Sequence, residues 1–428
     1  MKRIAPAGSL VGHIAVPGDK SISHRAVLIG SVCEGETSVT GFGRSADTEA
    51  TVSAVRALGV EVLEEEVDAL RVRGVGLRGL REAAEPIECG NAGTLLRLLP
   101  GLLAGQRGRF ELTGDESLRA RPVDRVADPL RRMGARVKAR KGLPPLVIEG
   151  GALRGIQYEL PIASAQVKSC VLLAGLLAAG RTTVVEPAPT RDHTEIMLEA
   201  AGARVTRGPH SVAIEQAEEL RLEEVAVPGD ISAAAPFVLA ATLLPGSELY
   251  VHGVGINPRR TGFLDALGRM GARITIFNRH RVGGEQVGDL EVRTAPLIAA
   301  TVMEEEVPRL VDELPLLALA AGFARGETVV RGAQELRVKE TDRLEAVTTS
   351  LRALGIRVTA TDDGFRVRGV PSRPRGGGME SGGDHRLAML AAVAGLVSRE
   401  GVEVGSPEAV AVSFPGFYEL LDGVAQRS

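Results

Sequence analysis

A glycine-led strand pattern recurs six times and constrains the fold more than any other feature of the sequence. The copies begin at Gly35, Gly108, Gly180, Gly246, Gly326 and Gly401, with spacings of 73, 72, 66, 80 and 75 residues. After five of the copies an amphipathic helix ends at a Gly and leads into another strand, as in RMGARV at 132–137. Because self-similarity at a fixed period marks repeated structural units, the pattern predicts six mixed α/β units of about 70 residues each.

The tetrapeptide VPGD occurs at 16–19 and again at 227–230, so that its two copies flank three of the six units. This placement predicts a chain that starts in one domain, crosses near Asp19, builds an inserted three-unit domain, and crosses back near Gly229. The predicted domains are 20–228 and, discontinuously, 1–19 with 229–428. Crossings between domains are natural hinges, and clefts between domains are common sites for small ligands.

Composition argues against several classes of function. The net charge of −3 and the 3% of aromatic residues argue against nucleic-acid binding. Three scattered cysteines, Cys33, Cys89 and Cys170, fit neither a disulfide framework nor a zinc site, and they predict reduced thiols in the cytoplasm. The N-terminus lacks a signal peptide's apolar segment, and the longest apolar run, 171–180, is too short to cross a membrane.

The segment VPGDKSISHR at 16–25 indicates an anion site at the start of a helix. A helix N-terminus offers unpaired N–H groups and a partial positive charge. Lys20 adds a compact charge beside Ser21, and Arg25 adds a planar fork that can grip a phosphate or carboxylate with two hydrogen bonds. The alternative interpretation is a capped surface helix with solvated charges.

Two motifs in the first half can be explained either by helix capping or by ligand binding. GNAGT at 90–94 predicts a tight turn whose N–H groups can face a ligand. SAQVK at 164–168 offers Ser164 as an N-cap and Gln166 as a hydrogen-bonding group for a polyol. Between them, Arg121 precedes Pro122 at a predicted helix start, and a solvated loop is its alternative explanation.

The second half carries three charged motifs. DELP at 312–315 places Asp312 at a helix start, where a carboxylate either complements the helix dipole or acts as a general base. RVKETDR at 337–343 includes Lys339, Glu340 and Arg343, and its alternative explanation is a salt-bridged helix start. DHR at 384–386 adds Arg386. Neither a metal-ligand spacing nor a Ser-His-Asp signature is present.

Taken in order, GDKSISHR, GNAGT, RP, SAQ, DELP, RVKETDRL, DHR and SFPGF resemble the 5-enolpyruvylshikimate-3-phosphate (EPSP) synthase family over nearly the whole chain. The resemblance implies an α/β (α+β) fold: two inside-out α/β barrel domains, each of three βαβαββ repeats, joined by two crossover hinge segments. It implies transfer of the enolpyruvyl group of phosphoenolpyruvate to the 5-hydroxyl of shikimate 3-phosphate in aromatic amino-acid biosynthesis. Phosphate would leave after a tetrahedral addition intermediate.

The resemblance also implies a role for each site residue and for the enzyme's partners. Shikimate 3-phosphate would be bound by Lys20, Ser21, Arg25, Ser164, Gln166, Asp312 and Lys339. Phosphoenolpyruvate would be bound by Lys20, Gly93, Arg121, Gln166, Arg343 and Arg386. The implied catalytic residues are Asp312, which would deprotonate the hydroxyl, Glu340, which would handle protons at the methylene carbon, and Lys20. The two substrates would be the only partners of a cytoplasmic, monomeric enzyme that uses no metal or organic cofactor and closes its domains around them.

Details of the motifs suggest a class within the family. SAQ at 164–166 and RDHTE at 191–195 resemble the second class, and VAVSFP at 410–415 lacks the lysine of the first class. Members of the second class are often insensitive to glyphosate. That class usually has a hydroxyl residue at the position of Arg259, and Gly93 is the residue seen in sensitive enzymes, so the response of this chain to glyphosate stays open. One alternative function is UDP-N-acetylglucosamine enolpyruvyl transfer, which would be expected to use a Cys that DESLRARP at 115–122 lacks. Another is a non-catalytic repeat scaffold.

Overall fold

A computed structural model, which describes residues 1–427, divides the chain into two compact units. The discontinuous unit comprises Met1–Pro17, Pro228–Arg281 and Gln286–Ser428, and the inserted unit comprises Gly18–Val227 and Val282–Glu285. The short segment Val282–Glu285 differs from the sequence-based boundaries, which assigned it to the discontinuous domain. It groups with the inserted unit because Glu285 Oε1 lies 2.6 Å from Nδ1 of the buried His193.

The described residues contain thirteen α-helices and twenty-six strands. The helices are α1 (Lys20–Ser31), α2 (Ala46–Ala57), α3 (Gly93–Leu103), α4 (Glu116–Arg119), α5 (Asp124–Met133), α6 (Ala165–Gly175), α7 (His193–Ala200), α8 (Ile231–Leu243), α9 (Gly262–Arg269), α10 (Leu314–Phe323), α11 (Arg343–Ala353), α12 (His385–Val397) and α13 (Phe417–Val424). Short 3₁₀ helices cover Glu304–Arg309, Gln334–Val338 and Pro407–Val412.

The strands are mostly short, and several begin at or directly after a positive-φ glycine. They are β1 (Lys2–Ile4), β2 (Ser9–Ala15), β3 (Glu36–Thr40), β4 (Glu61–Glu66), β5 (Ala69–Arg73), β6 (Ile87–Glu88), β7 (Gly108–Thr113), β8 (Arg136–Arg140), β9 (Leu143–Gly150), β10 (Leu153–Arg154), β11 (Gln157–Glu159), β12 (Ala178–Ala179), β13 (Arg181–Val185), β14 (Val205–Arg207), β15 (Ser211–Glu215), β16 (Glu224–Ala226), β17 (Glu248–Gly255), β18 (Arg273–Val282), β19 (Glu285–Arg293), β20 (Thr301–Val302), β21 (Gly326–Val330), β22 (Arg357–Ala360), β23 (Phe365–Gly369), β24 (Gly377–Glu380), β25 (Val402–Gly405) and β26 (Ala425–Gln426).

Four sheets share one strand order, which is the structural form of the sequence repeat. They are β16-β3-β5-β4, β6-β7-β9-β8, β11-β13-β15-β14 and β20-β21-β23-β22. In each sheet the first two strands are parallel and the last two form an antiparallel hairpin. A helix links the parallel strands of three of these sheets, as α3 links β6 to β7. In the sheet β16-β3-β5-β4, the strand parallel to β3 is β16. This last strand of the inserted segment completes the repeat that begins with α1.

The chain ends complete the sheets of the discontinuous unit. In the order β18-β19-β17-β2-β26, the C-terminal strand β26 pairs with β2, and in the order β1-β25-β24 the N-terminal strand β1 pairs with β25. The sixth repeat therefore departs from the βαβαββ pattern, because the antiparallel neighbour of β25 comes from the start of the chain. The mixed α/β fold class predicted from the sequence is confirmed.

Each unit buries its own hydrophobic core around three helices that are buried along most of their length. These helices are α1, α3 and α6 in the inserted unit, and α8, α10 and α12 in the discontinuous unit. Their polar residues are buried with them, as Arg25 of α1 and Lys168 of α6 show. The peripheral helices are amphipathic, and the predicted apolar stripe Val126, Leu130 and Met133 of α5 is buried. In residues 1–427 we find no helix with the length and apolar character that a membrane crossing requires.

Candidate active site

Most of the predicted site residues lie at the N-terminal ends of the central helices. Lys20 and Ser21 begin α1, Gly93 begins α3, and Gln166 lies in the first turn of α6. Within the inserted unit, α3 packs against both α1 and α6. In the discontinuous unit, where α8, α10 and α12 contact one another, Asp312 precedes α10 and Arg386 lies in the first turn of α12. Helix N-termini attract anions, so each unit presents several such ends together with charged side chains.

The first group of side chains surrounds the start of α1. Asp19 caps the helix, because its Oδ1 accepts a hydrogen bond of 3.0 Å from the Ile22 amide. Lys20 Nζ lies 2.7 Å from Asp47 Oδ2. Arg25 is buried and donates from Nη1 to the Ser21 carbonyl at 2.8 Å. The structure therefore brings Lys20, Ser21 and Arg25 together within one helix, as the spacing predicted.

The second group surrounds Gly93 at the start of α3. A Cβ atom on Gly93 would lie 3.0 Å from Arg97 Nη1 and 3.2 Å from Arg121 Nη1. Arg121 Nη2 donates to Asn91 Oδ1 and, at 3.1 Å, to Ser117 Oγ. Two guanidinium groups thus meet beside a residue without a side chain, at a helix end that carries partial positive charge. This arrangement suits a small anion.

Gln166 connects α6 to the group around Gly93. Its Oε1 accepts a 2.9 Å hydrogen bond from Arg97 Nη1, and its Nε2 donates to Thr94 Oγ1 at 3.1 Å. Ser164 is the N-cap of α6, with its Oγ accepting from the Val167 amide at 3.4 Å. Capping was the structural alternative for Ser164, and the described contacts show that role.

In the discontinuous unit, Asp312 lies among four cationic groups. Its carboxylate oxygens are 3.4 Å from Lys339 Nζ, 3.6 Å from Arg343 Nη1, 3.9 Å from Arg386 Nη2 and 4.0 Å from Arg260 Nη1. The Asp312 side chain is only 11% exposed. A carboxylate so placed can accept a proton from a substrate hydroxyl while the surrounding cations bind the negative charges of that substrate.

Arg343 is the most deeply buried cation of this group. It donates from Nε to Asp384 Oδ2 at 2.7 Å and from Nη2 to Asp384 Oδ1 at 3.1 Å and to Glu340 Oε2 at 2.6 Å. Burial acts to lower the pKa of Arg343, but the carboxylates of Asp384, Glu340 and Asp312 outweigh it and raise that pKa. Burial likewise acts to raise the pKa of Asp384, and the neighbouring Arg343 holds it below the usual value.

Several residues that contact the predicted site were missed by the sequence analysis. Glu313 is buried beside Asp312, where its Oε1 accepts from Ser232 Oγ and lies 3.4 Å from Arg386 Nη1. Arg260 Nη2 donates to Ser232 Oγ at 2.7 Å. The second VPGD motif could have indicated Ser232, because Ser232 lies two positions after Asp230 just as Ser21 lies two positions after Asp19.

The model of the family described as EPSP synthase (3-phosphoshikimate 1-carboxyvinyltransferase) matches residues 4–421. The chain belongs to this family. A 3-phosphoshikimate 1-carboxyvinyltransferase of Geobacter sp. (strain M21) is 49% identical over 426 residues, covering 99% of both chains. Its counterpart in Gloeobacter violaceus is 50% identical over 427 residues, also covering 99% of both.

Solved structures agree with this membership of the EPSP synthase family. An EPSP synthase from Acinetobacter baumannii shares 42% identity with a TM-score of 0.88, covering 99% of this chain and 98% of that one. The enolpyruvyl transferase NikO from Streptomyces tendae, at 20% identity and a TM-score of 0.80, shares the fold over 99% of this chain and 96% of its own. The family and the enzyme class predicted from the sequence are confirmed, and neither alternative function is favoured.

Proposed function

We propose that the chain transfers the enolpyruvyl group of phosphoenolpyruvate to the 5-hydroxyl of shikimate 3-phosphate, and that the predicted site residues bind these two substrates. Membership of the EPSP synthase family supports the reaction. The charges support it independently, because both substrates are anions and both units gather cations at helix N-termini. The observation that carries the proposal is the Asp312 carboxylate within 4.0 Å of four cationic groups.

In the inserted unit, the two groups of side chains suit different substrates. Lys20, Ser21 and Arg25 bind shikimate 3-phosphate, with Ser164 and Gln166 contacting the same molecule. The side chain of Arg121 and the backbone at Gly93 bind phosphoenolpyruvate. Supporting this division, Gln166 is hydrogen-bonded to both Arg97 and Thr94, so it belongs to the surroundings of Gly93 as well as to α6. It therefore contacts both substrates, and Lys20 contributes its positive charge to both.

In the discontinuous unit, the same proposal assigns the proton transfers. Asp312 takes the proton of the 5-hydroxyl as that oxygen attacks C2 of phosphoenolpyruvate, while Glu340 gives a proton to the C3 methylene. Reversal of the C3 proton transfer then breaks the bond between C2 and the phosphate oxygen and releases phosphate. Lys339 binds the shikimate molecule. Arg343 and Arg386 bind phosphoenolpyruvate. In the inserted unit, Lys20 is a further catalytic group through the positive charge of its ammonium.

The test is release of inorganic phosphate from phosphoenolpyruvate by the purified chain, with and without shikimate 3-phosphate. The expected result is phosphate release that requires shikimate 3-phosphate and forms the enolpyruvyl ether in equal amount. UDP-N-acetylglucosamine serves as a parallel acceptor. Turnover of the nucleotide sugar in place of shikimate 3-phosphate would contradict the proposal.

We also propose that the enzyme is a cytoplasmic monomer that needs neither a metal nor an organic cofactor. Three buried free thiols support a reducing compartment, and burial raises the pKa of the Cys33 thiol to about 12, which makes it unreactive. In residues 1–427, no group of three or more His, Cys, Asp or Glu side chains is arranged to hold a metal ion. Light scattering coupled to size-exclusion chromatography tests the monomer, and assay after dialysis against a chelator tests the metal independence.

A further inference from the structure

Arg25 is a buried guanidinium that neutral groups hold in place. It is 2% exposed, and burial lowers its pKa to about 10, which still leaves it charged at neutral pH. Nε donates to Thr194 Oγ1 at 2.7 Å, Nη2 to Ser169 Oγ at 2.9 Å, and Nη1 to the Ser21 carbonyl at 2.8 Å. These bonds use three of the five N–H donors of the guanidinium and neutralise none of its charge.

The two hydroxyls form a pair contributed by different helices. Ser169 lies on α6 and Thr194 on α7, both fully buried, and their oxygens are 2.7 Å apart. A hydroxyl pair of this kind orients a guanidinium without competing for the anion that it is to bind. A carboxylate in the same place would form an ion pair with Arg25 and weaken binding of a phosphate.

A buried ion pair stands directly beside the hydroxyl pair. Lys168, which precedes Ser169, places Nζ 2.7 Å from Oε1 of Glu195, which follows Thr194. Lys168 Nζ is also 3.1 Å from Glu186 Oε2, and all three side chains are at most 4% exposed. Buried ion pairs add little net stability because both charges lose their hydration, so a more specific role accounts better for this one. It fixes α6 against α7 at the register that brings the two hydroxyls together.

We propose that Thr194 and Ser169 are positioning residues for shikimate 3-phosphate, which hold the Arg25 guanidinium in its binding orientation. The Lys168–Glu195 pair fixes the register of the helices that carry them. This inference rests on the proposed function, in which Arg25 binds shikimate 3-phosphate. It adds two residues that support the binding of shikimate 3-phosphate, and it predicts that their substitution weakens the binding of that substrate alone.

The test compares two substitutions of the same shape in the inserted unit. Thr194→Val removes the hydroxyl that accepts from Arg25 Nε. Thr182→Val is the matched control, because Thr182 is also fully buried and, among the described residues, its Oγ1 has no hydrogen-bond partner. Steady-state kinetics with each substrate varied in turn, together with thermal unfolding, separate an effect on binding from an effect on the fold.

For Thr194→Val we expect the KM for shikimate 3-phosphate to rise about tenfold or more, the range for losing a hydrogen bond to a charged group. The KM for phosphoenolpyruvate and kcat should change by less than about threefold. Thr194→Ser, which keeps the hydroxyl, should restore most of the affinity. Ser169→Ala should act in the same direction, and the double variant should lose less than the product of the two single effects, because both hydroxyls orient one guanidinium.

Two results would overturn the inference. One is a KM for shikimate 3-phosphate that is the same in Thr194→Val and Thr182→Val. The other is a loss in Thr194→Val that affects both substrates and kcat equally and is not restored in Thr194→Ser. The proposed function fails separately, if the unsubstituted chain does not release phosphate in the presence of shikimate 3-phosphate.

Discussion

Two buried guanidinium groups, one in each unit, have different partners. In the inserted unit, Arg25 donates to the hydroxyls of Thr194 and Ser169 and to the carbonyl of Ser21. In the discontinuous unit, the partners of Arg343 are carboxylates. Arg343 bonds to Asp384 and Glu340, and Arg386 lies near Glu313 and Asp312.

This difference indicates a division of labour. A guanidinium held by neutral groups keeps its charge available for an incoming anion, so Arg25 is suited to hold a phosphate or carboxylate group. A carboxylate held among cations is a proton acceptor whose charge is compensated, so the discontinuous unit is suited to move protons. Substitutions of Arg25 or of the hydroxyls that hold it should therefore raise KM, and those at Asp312 should lower kcat.

The largest expected effect is that of Asp312→Asn, which keeps the shape and removes the base. We expect kcat to fall about a hundredfold or more, the usual loss for a general base. Asp289→Asn is the control in the same unit, since the Asp289 carboxylate accepts from the Gly253 amide at 2.8 Å and belongs to no proposed site. An unchanged kcat in the Asp312 variant would remove this residue from the mechanism and break the comparison.

Arg121→Ala should give the next largest effect, and in KM. It removes a guanidinium that lies beside Gly93, so the KM for phosphoenolpyruvate should rise by tens of fold. The KM for shikimate 3-phosphate should rise much less. Steady-state kinetics with each substrate varied will show the ratio. Equal losses for both substrates would mean that the groups around Gly93 and around α1 do not bind different molecules.

The units should also differ in their response to acid. Burial lowers the pKa of His24, in the inserted unit, from 6.5 to about 3, so this side chain stays neutral in the folded state. In the unfolded chain, His24 takes up a proton below pH 6.5. The stability that the neutral, folded His24 contributes is therefore lost as pH falls from 6.5 towards 3. In the discontinuous unit, Asp384 has a lowered pKa, so its contribution is present above the ordinary aspartate value of about 3.9 and is lost only below it.

Urea unfolding followed by circular dichroism, which suits a chain without Trp, checks this difference. Because of His24, we expect the free energy of unfolding to fall by about 2 kcal/mol between pH 7.5 and pH 5. His24→Asn, which keeps a hydrogen-bonding group near Thr51 Oγ1 and does not titrate, should abolish that loss. The same pH dependence in both proteins would show that His24 is not its source.

Gly93→Ala should give the smallest effect. The added methyl group would press on Arg97 and Arg121 at 3.0 and 3.2 Å, so both guanidinium groups must shift by a few tenths of an ångström. We expect a roughly three- to tenfold rise in the KM for phosphoenolpyruvate, with stability unchanged. Gly268→Ala is the control, because a Cβ atom there would meet open space. An unchanged KM in the Gly93 variant would place phosphoenolpyruvate elsewhere.

Local patterns in the sequence were sufficient to predict the repeated units. The spacing of Val126, Leu130 and Met133 defines a helix face, and the glycines that end such helices define where strands begin. The arrangement of the chain ends could not be predicted in this way, because β1 pairs with β25 some 400 residues away. Nothing in the local sequence of either strand specifies that partner.

The candidate site shows the same limit. Lys20, Ser21 and Arg25 could be grouped because one helix carries them. Glu313 could not be assigned a contact, because its partner Ser232 is 81 residues away and lies on another helix. Buried polar pairs of this kind depend on how helices pack, which sequence periodicity does not reveal.

The central proposal is that Arg121 and Arg386 both bind phosphoenolpyruvate. The most direct measurement is calorimetric titration of phosphoenolpyruvate, with shikimate 3-phosphate present, into Asp312→Asn, Asp312→Asn/Arg121→Ala and Asp312→Asn/Arg386→Ala, because the Asp312 substitution slows turnover. The account predicts that each arginine variant loses affinity about tenfold or more relative to Asp312→Asn. If either arginine variant binds phosphoenolpyruvate as tightly as Asp312→Asn, that arginine does not bind this substrate, and the proposed function of the site is contradicted.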